Sequence, residues 1–227
     1  MTLATESSAT LIGIAFHGIG EPHPGLSDAD QGYFVSRDFF LALLDEIAGR
    51  PDVELSFDDG YASDVEMALP ALVERSMTAR FFPVAGRLRQ PGFVDAAGIE
   101  ALSSAGMMIG SHGMRHRSWR ALNADSMDEE VSQARSIIAE VAGKNVTTAA
   151  CPFGAYDRHV LRTLRSSGYT KVFTSDRRRA ERSAWLQPRY AVKRGDSLQT
   201  VRRDILAPQP MHDRVRRAVA AQLKAWR

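Results

Sequence analysis

The chain has 227 residues, of which 44% are hydrophobic and 25% are charged, and its formal net charge is +2. This composition is typical of a folded globular protein and excludes a disordered or fibrous chain, and the apolar runs are too short to cross a membrane. The single cysteine, Cys151, excludes an internal disulfide and a thiolate zinc cluster.

Short apolar runs alternate with helical patterns along almost the whole chain. The predicted strands are residues 11–16, 53–57, 79–84, 107–111, 147–152, 171–174 and 189–192. The predicted helices are residues 36–48, 64–75, 95–104, 126–142, 156–167 and 197–206, and Ser126 with Glu129 predicts a capping box on the fourth. This alternation predicts parallel βαβ units in one α/β domain. About seven units favour a barrel over an open sheet, although the spacing alone fits both.

Polar side chains collect at the predicted carboxyl ends of these strands, where α/β folds place their chemistry. They are His17, Asp58 and Asp59, His112 and His116, and the segment 152–157. Two histidines four residues apart, with a carboxylate, form a ligand set suited to Zn2+ or a similar divalent ion with one open position. Taken singly, Asp-Gly also fits a turn, and the histidine spacing also arises by chance. Their joint occurrence at the strand ends favours a metal site.

The stretches SFDDG, HGMRH and PFG, in this order, resemble the motifs of the polysaccharide deacetylase family, which carries the NodB homology domain and is also called carbohydrate esterase family 4. The resemblance covers roughly residues 10–200. It implies a distorted (β/α)7-type barrel that removes acetyl groups from amino sugars.

The resemblance also implies roles for the motif residues. Asp58 matches the general base, and Asp59 matches the metal ligand that joins His112 and His116. The implied cofactor is a divalent metal ion, Zn2+ above all. The third motif makes the backbone N–H of Phe153 the candidate donor to the oxyanion.

Three departures from the family pattern affect the expected site. Gly113 stands where the second motif usually has Ser or Thr, and the arginine of the third motif is missing from the stretch AACPFG. The usual histidine motif near the C-terminus is also missing. In the circularly permuted branch of the family this histidine comes from the first strand, and the stretch IAFH resembles that arrangement. We therefore assign His17 as the general acid, a role that suits the near-neutral pKa of imidazole.

Further residues of the rim receive supporting roles. Gly154 is grouped with Phe153 as an oxyanion contact, and Tyr61 and Tyr156 are expected to stack on a sugar face, although both could instead pack in the core. Asp157 is expected to orient or tune His17, and Asp176 is the second candidate for this role. Arg189 is assigned a structural role.

The C-terminal part is strongly basic, with 14 Lys and Arg against 4 Asp and Glu in residues 177–227. We divide the chain into a barrel of residues 1–207 and a basic amphipathic helix of residues 208–227, packed on the domain or extending from it. Its apolar stripe is Val215, Val219, Leu223 and Trp226. Such a stripe usually covers the domain or an adjoining subunit, and residues 212–227 also suit contact with an anionic membrane surface. No motif predicts a nucleic-acid partner.

These features together predict a metal-dependent hydrolase that removes the N-acetyl group from an amino-sugar glycan or glycan precursor. The alternatives are O-deacetylation or deformylation of a related sugar, and a non-catalytic carbohydrate-binding protein on the same fold. The first residues show no secretory signal pattern, so we expect a cytoplasmic location. The sequence does not predict the oligomeric state.

Overall fold

The computed structural model describes residues 10–226 of the chain. The strands are β1 (Thr10–Phe16), β2 (Val53–Asp59), β3 (Ala79–Pro83), β4 (Met108–Ile109), β5 (Thr148–Ala150), β6 (Lys171–Thr174), β7 (Ala180–Glu181) and β8 (Leu186–Ala191). The α-helices are α1 (Asp28–Gln31), α2 (Arg37–Ile47), α3 (Leu69–Glu74), α4 (Ala96–Ser104), α5 (Ala124–Asp128), α6 (Ala134–Ala142), α7 (Arg158–Ser166), α8 (Leu198–Val201) and α9 (Met211–Trp226). Single π-helical turns lie at Asp64–Ala68, Glu129–Gln133 and Arg202–Leu206, and 3-10 turns lie at Ala85–Arg87 and Pro152–Gly154.

Seven parallel strands form a nearly closed barrel in the order β4, β3, β2, β1, β8, β6, β5. The ring is completed just beyond β4, where Ser111 donates to Thr148 O and accepts from Ala150 N, each at 2.9 Å. β7 pairs antiparallel with the start of β1 and lies outside this ring. The predicted single-domain α/β barrel is therefore confirmed.

The largest core cluster lies between the outer face of the barrel and the surrounding helices. Phe16, Phe57 and Phe81 occupy successive strands and stack on one another, with ring centroids 5.3 and 4.7 Å apart. Phe40 of α2 meets Phe16 edge-on at 5.2 Å. Burial of aromatic rings between strand and helix layers fixes the positions of β1, β2 and β3, and so the places where their polar ends emerge.

Several boundaries differ from the sequence-based prediction, and two of them have a clear physical reason. The long helix after β4 begins earlier than predicted because Asn123, rather than Ser126, caps it by accepting from the Ser126 N–H at 2.9 Å. β8 begins at Leu186, not at residue 189, and includes Gln187 and Arg189, both at most 2% exposed. These polar residues interrupt the apolar run, so its hydrophobicity alone did not reveal the full strand.

The C-terminal helix packs on the barrel through small residues. Ala221 of α9 is buried, and its carbonyl accepts from Tyr156 Oη at 3.4 Å. Lys224 binds Asp176, which follows β6, at 2.7 Å. Of the two expectations for the apolar stripe, the structure does not show it covering the domain, because Ala221 faces the barrel and the stripe is exposed. The other expectation, that it covers an adjoining subunit, stays a prediction. The division between residues 207 and 208 stays a proposal.

Candidate active site

A cluster of one carboxylate and two imidazoles lies at the rim formed by the carboxyl ends of the strands. One ligand atom from each of Asp59, His112 and His116 can be chosen so that all lie within 4.8 Å of one another. Asp59 Oδ1 is 3.0 Å from His116 Nε2 and 3.6 Å from His112 Nε2. This Oδ1 is buried and makes no hydrogen bond of acceptable geometry within residues 10–226. This oxygen is buried between two ring nitrogens and has no hydrogen-bond donor among those residues. Such an arrangement suits the binding of a divalent cation of the Zn2+ type.

The protonation states of the cluster also fit metal binding. Burial opposes ionisation of Asp59, but the neighbouring imidazoles, His116 first, outweigh it and hold the pKa of this carboxyl well below its usual value. Burial lowers the pKa of His112 to about 4, so its ring is neutral at pH 7. Asp59 is therefore an anion, and His112 is a neutral imidazole with a lone pair to offer. These are the forms in which the two residue types bind metals.

The orientation of His112 is fixed from behind. Its Nδ1 is 2.9 Å from Ala150 O, an acceptor only, so Nδ1 carries the proton and Nε2 presents its lone pair to the cluster. Ala150 belongs to β5, on the far side of the barrel closure from β4. The contact ties the histidine loop to the neighbouring strand.

The HGMRH loop is held in place by Glu130, a fully buried carboxylate. Glu130 accepts from Met114 N at 2.8 Å, from Arg117 Nε at 2.7 Å and from Trp119 Nε1 at 3.3 Å. A Cβ on Gly113 (φ +84°) would lie 2.4 Å from Glu130 Oε2. The loop therefore needs glycine at this position, since the carboxylate occupies the space of a side chain.

A positively charged side chain, that of Arg87, lies beside the cluster. Arg87 Nη1 is 3.8 Å from Asp59 Oδ1, and Nη2 is 3.4 Å from His116 Nδ1. The guanidinium stacks over Phe93, with 4.8 Å between its central carbon and the ring centroid. Arg87 thus adds positive charge next to the ligand set, and neither composition nor motif spacing singled it out.

The neighbouring carboxylate, Asp58, is engaged by a different partner. Arg189 of β8 binds both of its oxygens, Nη1 to Oδ1 at 2.7 Å and Nη2 to Oδ2 at 2.8 Å, and also donates to Ser56 Oγ at 2.7 Å. Burial opposes ionisation of Asp58, but the charge of Arg189 outweighs it, and the pKa of Asp58 is held below its usual value. Arg189, which we expected to serve structure rather than catalysis, thus contacts the candidate base directly.

The barrel interior is shaped to admit the Arg189 side chain. Its guanidinium lies 5.4 Å from the ring centroid of Phe82 and 5.6 Å from that of Phe173, and both rings cluster with Ala150. On the next strand, a Cβ at Gly13 would lie 2.8 Å from Arg189 Cγ. Two small residues and two aromatic faces thus enclose one buried cation.

His17 lies at the same rim, beside the carboxylate pair. It follows Phe16, which is in register with Phe57 of the adjacent β2, so His17 is next to Asp58 across the two strands. Its Nδ1 is buried without a hydrogen bond, and its ring lies 4.6 Å from that of Tyr33. Asp157 does not orient this ring. It caps α7 by accepting from Val160 N at 2.9 Å, because the start of a helix needs acceptors.

The structure corrects the assignments of three further residues. Tyr61 and Tyr156 are 2% and 1% exposed, so neither ring can stack on a sugar. Tyr61 stacks on Phe93 at 5.1 Å, and Tyr156 donates to Asp176 at 2.9 Å. The N–H of Gly154 is used within its own turn, donating to Cys151 O at 2.9 Å, which leaves it no role as an oxyanion donor.

Phe153 lies where a substrate contact would be expected. Its side chain is 66% exposed and its ring centroid is 4.6 Å from that of His116. Its φ of +58° is uncommon for a bulky residue. Phe153, not a tyrosine, is the exposed ring beside the candidate metal ligands.

A family model described as polysaccharide deacetylase matches residues 45–172, which is 128 of the 227 residues. The chain belongs to the polysaccharide deacetylase family. The matched segment carries Asp58, Asp59, His112, His116 and Phe153, but it ends before Arg189 and begins after His17.

Individual deacetylases are only distantly similar in sequence. The Bacillus subtilis (strain 168) protein YxkH, whose name makes it a candidate polysaccharide deacetylase, is 23% identical over 168 residues. That match covers 73% of the chain and 59% of the relative's length. Among solved structures, Streptococcus pyogenes deacetylase PplD, in complex with acetate, has a TM-score of 0.74 at 17% identity, with 88% of this chain and 99% of that one covered.

A second solved structure gives the same result. IcaB from Ammonifex degensii has a TM-score of 0.69 at 21% identity and covers 86% of this chain and 94% of its own. These likenesses show that the deacetylase barrel is shared. The arrangement of Arg189 and Glu130 in this family member therefore has to be judged from its own contacts.

Proposed function

We propose that this polysaccharide deacetylase family member is a metal-dependent hydrolase that cleaves the N-acetyl group of an amino sugar. The observation that carries the proposal is the division of labour between two adjacent acids. Asp59 faces two imidazoles and its Oδ1 has no hydrogen-bond partner among the described residues, whereas Asp58 is paired with Arg189 and held as an anion. A Zn2+-type ion bound by Asp59, His112 and His116 would supply Lewis-acid polarisation of the acyl oxygen.

The remaining steps fall to side chains of the chain itself. Asp58 accepts a proton from the water that attacks the acetamide carbon, and Arg189 keeps Asp58 ionised and oriented for this transfer. The backbone N–H of Phe153 donates to the oxyanion that develops. The C–N bond then breaks, and His17 gives its proton to the leaving amine. The expelled product is acetate.

The presence of His17 beside Asp58 favours N-deacetylation over the O-deacetylase alternative. An amine is a poor leaving group unless it is protonated, whereas an alkoxide from an ester leaves with less help. A binding protein without activity would need no buried pair of Asp58 and Arg189 at its rim, because a buried ion pair is costly to maintain.

The test combines metal content with acetate release from N-acetylglucosamine oligomers. We expect the wild-type protein to bind one Zn2+ and release acetate. Asp58→Asn should keep the ion but lose about 10²–10⁴-fold in kcat, because only the base is removed. Asp59→Asn should lose both. Full activity of Asp58→Asn, or wild-type protein that binds Zn2+ and oligomers without acetate release, would contradict the proposal.

A further inference from the structure

The C-terminal helix turns its apolar side chains to solvent. Of the nine large hydrophobic residues that are exposed in the described part of the chain, five lie on α9. They recur every three or four residues and so form one stripe, which we call the α9 stripe: Met211 (72% exposed), Val215 (54%), Val219 (48%), Leu223 (56%) and Trp226 (80%). A contiguous apolar surface of this kind marks a contact with a protein or a membrane.

A basic cavity lies directly beside the α9 stripe. Its volume is about 520 Å³, and Met211 and Val215 form part of its wall. Five arginines line it: Arg177, Arg178, Arg179, Arg214 and Arg217. One acidic residue, Glu181, lines it as well. Within residues 10–226 none of the five arginines forms an ion pair.

Two buried polar atoms of the cavity residues lack partners. Tyr190 lines the cavity and is 0% exposed, yet its hydroxyl makes no hydrogen bond to any described residue, and neither does the buried Nε of Arg178. Such groups normally have a partner. The guanidinium groups of Arg177 and Arg217 lie 5.9 and 6.0 Å from the Tyr190 ring centroid, so the hydroxyl lies in a cationic environment. A phosphate oxygen is the acceptor that satisfies this combination of donors.

We propose that the α9 stripe and the arginine cavity together dock the protein on an anionic phospholipid surface. The apolar side chains enter the acyl boundary, and the arginines bind the headgroup phosphates. Charge decides between the possible occupants: a second copy of the chain would bring five more arginines to the same place, and the two cavities would repel each other. No helix within residues 10–226 is long and apolar enough to span a bilayer.

The test is cosedimentation of the full chain with vesicles of phosphatidylcholine, with and without phosphatidylglycerol. We expect binding only when phosphatidylglycerol is present, and weaker binding as salt is raised. Arg178→Gln with Arg214→Gln should weaken binding about fivefold for each arginine removed. The control with the same loss of charge is Arg37→Gln with Arg89→Gln, neither of which lines the cavity.

A second pair of variants tests the α9 stripe. Val219→Ser with Leu223→Ser should abolish vesicle binding, whereas Val73→Ser with Ile137→Ser, at exposed apolar positions on α3 and α6, should not. Thermal unfolding checks that all variants are folded, and acetate release should stay unchanged because the rim is untouched.

Three results would overturn the proposal. The first is equal binding to both kinds of vesicle. The second is a loss of dimer mass in light scattering for the stripe variant with unchanged vesicle binding, which would make the α9 stripe a subunit interface. The third is binding of inorganic phosphate in the cavity without vesicle binding, which would make the ligand a soluble anion.

Discussion

The side chain of Arg189 determines the electrostatic state of the candidate base. Its two hydrogen bonds to Asp58 keep a fully buried carboxylate ionised at neutral pH. In the family's third motif, the arginine that steadies the base stands two residues before the proline. This chain has Ala150 at that position. Ala150 and Arg189 approach the same pair of aromatic rings. We infer that Arg189 of β8 supplies the guanidinium that the family motif places at this position.

Removing Arg189 should damage both stability and activity. In Arg189→Met the carboxylate of Asp58 remains buried without a partner, so its pKa should rise and the free energy of unfolding should fall by about 3–5 kcal/mol. Urea denaturation and the pH profile of kcat measure the two effects. In Asp58→Asn with Arg189→Met no charge is left unpaired, so this double variant should be more stable than Arg189→Met alone.

Moving the guanidinium between two positions inside the barrel provides a sharper control. Ala150→Arg with Arg189→Ala places a guanidinium where the family motif has it, so part of the acetate release lost in Arg189→Ala should return. If the double variant is no more active than the single one, the two positions are not equivalent, and the role given to Arg189 is wrong.

At the scale of elements, the two loops of the candidate site depend on partners far from them in sequence. The strand-end motifs were predictable, because alternating strands and helices place consecutive loops at one rim whatever the details. Glu130 was not predictable, since a glutamate inside an amphipathic helix looks like any solvated residue. Its clue was the glycine in HGMRH, whose missing side chain leaves room for the carboxylate. Tyr61 and Tyr156 do not serve as sugar-stacking residues, because both side chains are buried. The sequence does not show which aromatic side chains near the strand ends are buried and which are exposed.

The loop that carries His116 should loosen when Glu130 is replaced. Glu130→Ala removes the acceptor for Met114 N and Trp119 Nε1, so Zn2+ affinity should fall about 10–100-fold, as for other groups that support metal ligands. Competition with a chromogenic chelator measures the change. Glu129→Ala is the matched control, because Glu129 also binds Arg117 but makes no bond to the loop backbone in the described residues. Equal losses in the two variants would contradict the assignment.

At the scale of the whole molecule, the barrel buries three aspartates close together at one rim, Asp58, Asp59 and Asp64. Asp64 begins the π-helical turn after β2 and is 1% exposed, and in the part of the chain that the structure describes neither of its oxygens has a hydrogen-bond partner. Burial first, and then the charges of Asp59 and Asp58, raise the pKa of Asp64 well above its ordinary value. The folded state therefore binds this proton more tightly than the unfolded state does, which makes the stability of the whole domain depend on pH.

This dependence has a definite sign. Between the ordinary aspartate pKa and the raised pKa of the folded state, the folded protein holds more protons, so its free energy of unfolding decreases as pH rises. Asp64→Asn removes this slope, which is at most about 1.4 kcal/mol per pH unit. Its advantage over the wild type should grow with pH in that window, as measured by urea denaturation with a chelator present. Glu100→Gln, at an exposed position of α4, is the control and should show no such growth.

The fold class followed from the sequence because it depends on local periodicity, which neighbouring residues record. The direction in which α9 faces did not, because Val215, Val219 and Leu223 form the same pattern whether the stripe covers the barrel or faces solvent. The structure resolves this through Ala221 and Lys224, whose contacts with the Tyr156 and Asp176 region place the small residues inward.

The bond between Asp58 and Arg189 joins residues 131 positions apart in the chain. During synthesis, the first half of the barrel emerges with its acid already at the strand end and no cation to meet it. Only when β8 has been made and inserted between β1 and β6 does that acid gain its partner. A polypeptide that stopped before β8 would carry every motif residue of the matched segment and would still leave Asp58 without its guanidinium partner.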